Sequence, residues 1–290
     1  MKALVFGAAG MLGADLVAVW SRSEKVVPCT RDDCDIGDGE RVRGLLRAEK
    51  PDIVLLLAAA TDVDRCQNDH DYAFGTNSVG AEIVAQACRR AGCPLVYISS
   101  IAVFSGEKDS PYNEFDIPAP ANVYGLSKYH GEEAVRTFCP DHWIVRTGWL
   151  FGGGARDVKF VAKLLRKTAV NSEIRVVRDC VGSPTYTVDF ARGLLQLVSR
   201  FHNGTYHLVN SGMPASRYEL GRETLKIAGY STDMILPCLS SEIDSAAPRP
   251  RMEAALSAKL GGPRNRLLLP DWKDSLAGYV RGTLSELVRC

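Results

Sequence analysis

Val5-Phe6-Gly7-Ala8-Ala9-Gly10-Met11-Leu12-Gly13 sets the end of an apolar run against glycines spaced three apart and the start of a helix. Ala3 to Phe6 predict a buried strand. Gly7, Gly10 and Gly13 remove Cβ atoms where the backbone must turn tightly, approach a ligand and pack a helix on a strand. The helix that follows, entered through Met11 and Leu12, aims free N–H groups and its positive dipole end at an anion. The spacing is a variant of the G-x-G-x-x-G dinucleotide fingerprint. Met1-Lys2 followed by apolar residues to Leu12 has the outline of a signal peptide. Leu12, Leu16 and Trp20, however, recur at helical spacing past Asp15, which favours a glycine turn opening an amphipathic helix.

Beyond this helix, Val26 to Thr30 predicts a second strand, and Arg31-Asp32-Asp33 a polar turn leading to Asp35-Ile36. The ribose of an adenine nucleotide lies at this point in dinucleotide folds. A carboxylate there suits a ribose 2′-hydroxyl and an arginine suits a 2′-phosphate. Arg31 therefore leans towards NADP(H), while Asp32 and Asp33 keep NAD(H) open and a solvated turn is the plain alternative for the arginine. Val42, Leu45 and Leu46 mark a helix, Ile53 to Leu57 a fully buried strand, and Ala58-Ala59-Ala60 a strand end small enough to leave room for a cofactor. Val79, Ile83 and Ala87 mark another helix and Leu95 to Ser99 another strand. This alternation over residues 1–150 predicts an α/β, Rossmann-like doubly wound parallel sheet with ligands at the carboxyl ends of its strands.

The pattern changes after Trp149. Gly152-Gly153-Gly154 is a loop, Phe160 to Arg166 a helix, Ile174 to Val177 a strand, Val188 to Val198 a helix and Thr205 to Val209 a further apolar run. Pro-broken pieces follow, among them Ile235-Leu236-Pro237 and Pro248-Arg249-Pro250-Arg251. Residues 151–290 thus predict a smaller C-terminal substrate-binding lobe, with about 174–200 returning to pack on the core, and with pieces too short to bury a core of their own.

The chain has 290 residues, 46% of them hydrophobic, with Lys+Arg 35 against Asp+Glu 34 and a formal net charge of +1. That balance gives no reason to expect nucleic acid or an anionic membrane as partner, so any anion is met locally. The longest apolar run, Ile53 to Ala60, falls far short of the roughly 18 residues of a spanning helix. Nine cysteines without a C-x-x-C pair predict reduced thiols and a cytoplasmic location. The histidines, at positions 70, 130, 142, 202 and 207, have no metal-ligand spacing, so no catalytic metal is expected.

Tyr124-Gly125-Leu126-Ser127-Lys128 places a phenol and an ammonium on one face of a helix. A cation within ~4–6 Å would lower the phenol's pKa from its usual value of about 10 and fit it to exchange a proton with a carbonyl or hydroxyl. A hydroxyl at the preceding strand end, Ser99 or Ser100, would orient the same oxygen.

These residues, in this order, resemble the extended short-chain dehydrogenase/reductases, and among them the dTDP-4-dehydrorhamnose reductase family. The resemblance runs over nearly the whole chain. It is carried by Gly7-x-x-Gly10-x-x-Gly13, Ala58-Ala59-Ala60-Thr61-Asp62-Val63-Asp64, Asn77, and Val123-Tyr124-Gly125-x-x-Lys128-x-x-Gly131-Glu132. Further on it rests on Arg146-Thr147-Gly148-Trp149, Asp179-Cys180-Val181-Gly182-Ser183-Pro184-Thr185, Tyr206-His207-Leu208, Arg249-Pro250-Arg251 and Leu269-Pro270-Asp271-Trp272. It implies Ser100, Tyr124 and Lys128 as catalytic residues, with Lys128 also anchoring a ribose. Gly7, Gly10, Met11, Leu12, Gly13, Arg31, Asp35, Ile36, Ala58, Ala59, Ala60 and Asn77 would join Tyr124 and Lys128 at the cofactor, and Thr61, Val63, Trp149 and Arg249 would meet the substrate.

The resemblance implies an NADP(H)-preferring reductase of the 4-keto group of a nucleotide-linked 6-deoxyhexose, dTDP-4-dehydro-L-rhamnose giving dTDP-L-rhamnose, and a homodimer. A nucleotide-sugar epimerase and a non-catalytic NADP-binding subunit are the alternatives. Departures fall where the sugar should be read. The family's Ser-Thr-Asp-Tyr-Val-Phe is here Ser99-Ser100-Ile101-Ala102-Val103-Phe104, its Asp-Gln is Asp179-Cys180, and its Asn-Phe is Lys159-Phe160. Ile101 and Ala102 would leave a sugar hydroxyl without a partner, at a cost of about 1–3 kcal/mol unless another group substitutes.

Overall fold

Ala3 and Val5 bury on one side of the strand Lys2–Phe6 and Leu4 and Phe6 on the other. A strand buried on both faces needs helical cover on both. A computed structural model, describing residues 1–262 and 266–284, supplies it. The sheet contains β1 (Lys2–Phe6), β2 (Lys25–Cys29), β3 (Ile53–Leu56), β4 (Leu95–Ser100), β5 (His142–Thr147) and β6 (Gly204–His207), all parallel, in the order β2-β1-β3-β4-β5-β6. Strand order reverses between β1 and β3, which opens the crevice where doubly wound sheets bind ligands.

Helix α1 (Met11–Trp20) follows β1, α2 (Gly39–Glu49) follows β2, and α3 (Gly80–Ala91) and α4 (Val123–Phe138) precede β4 and β5. Helices α2 and α3 and the end of α4 cover the Leu4/Phe6 face through Val42, Leu46, Val84, Cys88 and Val135. In the second half come α5 (Phe160–Thr168), α6 (Thr187–Arg200), α7 (Arg217–Ala228) and α8 (Trp272–Gly282). Helix α6 returns to the core, where Phe190, Leu194 and Leu197 pack with Leu12, Leu16 and Trp20 of α1 on the Ala3/Val5 face. The Trp20 indole fixes the pair by donating to the Ala191 carbonyl at 2.8 Å.

Three expectations are corrected. The second strand stops at Cys29, because the Thr30 N–H and hydroxyl both donate to Asp33 Oδ2, at 2.9 and 2.7 Å, and curl the chain into a turn. The return to the core over 174–200 is confined to α6. Ile174–Val177 pairs instead with Ile235–Cys238, its alternate residues Ile174 and Val176 buried away from the sheet. Finally, the C-terminal pieces do bury a core together. Phe151, Leu164, Leu165, Leu220, Ile235, Trp272 and Tyr279 are among its members, gathered from segments each too short to do so singly. No helix among the described residues is long and apolar enough to cross a membrane, and the eight described cysteines are all buried and unpaired.

Candidate active site

The glycine turn is shaped by close approach. Gly7 has φ +86°, and a Cβ there would lie 2.5 Å from the Ala58 nitrogen; one on Gly13 would lie 2.2 Å from the Gly7 carbonyl oxygen. Any side chain at either position would fill the space between β1, α1 and the Ala58-Ala59-Ala60 strand end. Gly10 caps α1 without a side chain, and the first helical hydrogen bond runs from Ala14 N to Gly10 O at 2.9 Å. The N–H groups of Met11, Leu12 and Gly13 are therefore the free donors of the first turn. The Leu12 side chain belongs to the core. At the end of β2 the exposed Arg31 guanidinium lies 3.3 Å from Asp35, whose other oxygen accepts from Gly37 N at 2.9 Å. Ile36 is buried, its Cδ1 2.7 Å from where a Cβ on Gly80 would stand.

Asn77 is 1% exposed in a single π turn, Gly75–Val79. Its Oδ1 accepts from Ala60 N at 2.9 Å and its Nδ2 donates to the Ala60 carbonyl and to Ser127 Oγ, both at 3.0 Å. All its polar atoms are thus spent bracketing the small-residue strand end to α4, so it supports the crevice from behind.

Helix α4 brings Tyr124 and Lys128 to the carboxyl end of β4. Asn122 caps it, Oδ1 accepting from Gly125 N at 2.9 Å, and a Cβ on Gly125 would sit 2.0 Å from the Ala102 carbonyl oxygen. That closeness delivers Tyr124 to Ser100. Burial pushes the phenol up to about 12, against a hydrogen bond with the Ser100 hydroxyl that lowers it, and the charge of Glu253 adds to the rise. The Ser100 hydroxyl also accepts from Ala102 N at 3.1 Å. Lys128 does not act on the phenol as its spacing predicts. It is 2% exposed, donates to the Ile98 carbonyl at 2.7 Å and lies 4.1 Å over the Tyr97 ring, and burial pulls it down to about 7 against the raising charge of Glu132. In a near-anhydrous position the ammonium finds its partners in the backbone and a ring face rather than in the side chain four residues earlier.

Beneath this, Glu132 binds α4 to the sheet. Its carboxylate accepts from Arg146 Nε and Nη2 at 2.8 and 2.7 Å, from Ser99 Oγ at 2.6 Å and from Arg136 Nη2 at 2.8 Å. Burial works against the charge, but the bonds and charge of Arg146, with Ser99 and Arg136, outweigh it and hold the carboxyl below its ordinary range.

The second half supplies the opposite wall. Trp149 has φ +45° and donates from Nε1 to Glu253 Oε2 at 2.9 Å, with the Arg217 guanidinium 3.5 Å over its ring. Thr61 is exposed and accepts from Lys159 Nζ at 3.4 Å; Val63 opens the helix Val63–Asn68 beside it. Arg249 pairs with Asp64 at 2.6 Å, and Asp64 also accepts from Ala247 N at 3.0 Å. The adjacent Pro248 carbonyl takes a 3.0 Å bond from Asn122 Nδ2. The segment around Arg249 is therefore a strap tied to the helix that carries Tyr124.

A family model described as the RmlD substrate binding domain matches residues 1–284. The chain belongs to the RmlD family. It is 36% identical over 284 residues to a dTDP-4-dehydrorhamnose reductase of Mycolicibacterium smegmatis, covering 96% of this chain and 85% of that one. Its fold is similar to the crystal structure of dTDP-4-dehydrorhamnose reductase from Bacillus anthracis in complex with NADP, with TM-score 0.92 and 33% identity over 97% of this chain and 99% of that one. A UDP-glucose 4-epimerase of Thermus thermophilus complexed with NAD shares the fold alone, at TM-score 0.78 and 20% identity over 97% of this chain and 99% of that one.

Several residues of this RmlD-family site escape sequence reasoning. Glu253 lies two residues beyond Arg251, just outside the Arg-Pro-Arg motif. Arg217 sits on an ordinary amphipathic helix, and nothing in its spacing points to an indole. Asp15, which sits within the helical recurrence of Leu12, Leu16 and Trp20, accepts from Gly153 N at 2.8 Å and from the Thr187 hydroxyl, tying α1 to the Gly152-Gly153-Gly154 loop. Lys159, a departure from the family pattern in the sequence, donates to Thr61.

Proposed function

We propose that the chain is an NADP(H)-preferring reductase of the 4-keto group of a nucleotide-linked 6-deoxyhexose, converting dTDP-4-dehydro-L-rhamnose to dTDP-L-rhamnose. The pairing of Ser100 with Tyr124, whose phenol the serine hydroxyl draws down against burial, next to a glycine cradle that any Cβ would fill, carries this reading. Gly7, Gly10, Gly13 and the first N–H groups of α1 would hold the pyrophosphate of the cofactor, and Arg31 its 2′-phosphate. Bound there, NADPH supplies the hydride that reduces the carbonyl carbon.

The remaining steps belong to the protein. Ser100 orients the carbonyl oxygen, and the Tyr124 O–H gives it the proton. A phenol at about 12 is fully protonated at neutral pH, which suits a proton donor in the reducing direction. Lys128 holds the ribose side of the site, and Thr61, Val63, Trp149 and Arg249 shape the space for the sugar nucleotide. We place the enzyme in the cytoplasm as a homodimer.

Incubation with dTDP-4-dehydro-L-rhamnose and NADPH tests the reading. One NADP⁺ formed per dTDP-L-rhamnose supports it; sugar interconversion without net cofactor oxidation identifies an epimerase, and cofactor binding without any turnover identifies a binding subunit.

A further inference from the structure

Ile101 and Ala102 are 1% and 4% exposed, and both offer only hydrocarbon beside Tyr124. A sugar hydroxyl that reaches them needs a partner from another element. One is at hand. A Cβ on Gly148 would stand 3.6 Å from Ile101 Cγ1 and 3.8 Å from the Glu253 carbonyl oxygen, so a single glycine separates the apolar turn from a residue that carries a carboxylate.

Glu253 is placed firmly. Its strand, Met252–Glu253, pairs with Val181–Gly182 in parallel, Glu253 opposite Gly182. The Trp149 indole that donates to Glu253 Oε2 is itself confined, since a Cβ on Gly182 would fall 2.2 Å from its Cε2 and Arg217 covers its ring. Among the described residues Oε1 has no hydrogen-bond partner. The charge of the half-buried carboxylate raises the pKa of both the Tyr124 phenol and the Arg217 guanidinium.

We propose that Glu253 is the specificity-determining residue of the sugar pocket, its free carboxylate oxygen accepting a hydrogen bond from a hydroxyl of the keto-sugar where Ile101 and Ala102 offer none. The inference rests on the reductase reading above. It also gives the Arg217–Trp149 stack a purpose, as the support that keeps the carboxylate from swinging out of reach.

The test compares KM and kcat for dTDP-4-dehydro-L-rhamnose in wild type, Glu253→Ala and Glu253→Gln, with NADPH affinity measured by fluorescence as a check on folding. Glu253→Ala is expected to raise KM by about tenfold or more with NADPH affinity unchanged. Glu253→Gln keeps an acceptor oxygen and is expected to stay within about threefold. If Glu253→Ala loses NADPH, Glu253→Asp replaces it, its shorter side chain again expected to raise KM. Variants all within about twofold of wild type overturn the inference while leaving the reductase reading intact, and so does a Gln variant as impaired as Ala. A wild type that binds NADPH but neither binds nor reduces the keto-sugar overturns both.

Discussion

The Lys128 ammonium and the Ile98 carbonyl oxygen lie 2.7 Å apart inside the protein, so the lysine is anchored to the strand that ends in Ser100. Burial lowers its pKa from 10.5 to about 7. Between those values the unfolded chain binds more protons at this residue than the folded one, so the folded state gains stability as pH rises through the window. Wild type should therefore gain stability relative to Lys128→Met between about pH 7 and 10.5 in urea titrations, while the variant loses reductase activity at every pH. A stability difference that is flat across the window would show that the lysine titrates normally.

Arg146 and Glu132 form the buried pair that seats α4 on β4 and β5, with side chains 3% and 0% exposed. Replacing Arg146 with Met takes away two of the four hydrogen bonds to the buried carboxylate and leaves it Ser99 and the half-exposed Arg136. Urea denaturation should show a loss of about 3–5 kcal/mol, the usual cost of stranding one member of a buried pair.

Gly13 has no room for a methyl group, because its Cβ would stand 2.2 Å from the Gly7 carbonyl oxygen, a backbone atom that cannot rotate away. Gly13→Ala should force α1 off β1 and weaken NADPH binding by about tenfold or more, measured by fluorescence titration. Gly44, with nothing within 4 Å, is the control at which Ala should leave binding unchanged.

Much of this fold is legible from residue order alone, and the reasons are local. The continuous apolar run Ala3 to Phe6, the helical recurrence of Leu12, Leu16 and Trp20, and the unbroken apolar run from Ile53 each follow from one element's own sequence. Trp149, Glu253 and Arg217 are different, being far apart in the chain and meeting only because Met252–Glu253 pairs with Val181–Gly182. The environment of Tyr124 is likewise set by residues distant in the chain. Helical spacing puts Lys128 on its face, but the Ile98 carbonyl and the Tyr97 ring, on a neighbouring strand, decide where the ammonium goes.

Whether Tyr124 supplies the proton is decided by the rate of NADPH consumption with dTDP-4-dehydro-L-rhamnose by wild type and by Tyr124→Phe, which keeps the ring and removes the proton. Turnover by wild type, a fall in kcat of about 10²-fold or more in the variant, and unchanged NADPH affinity are expected. Equal kcat in the two proteins would contradict that role for Tyr124, since the proton would then come from elsewhere.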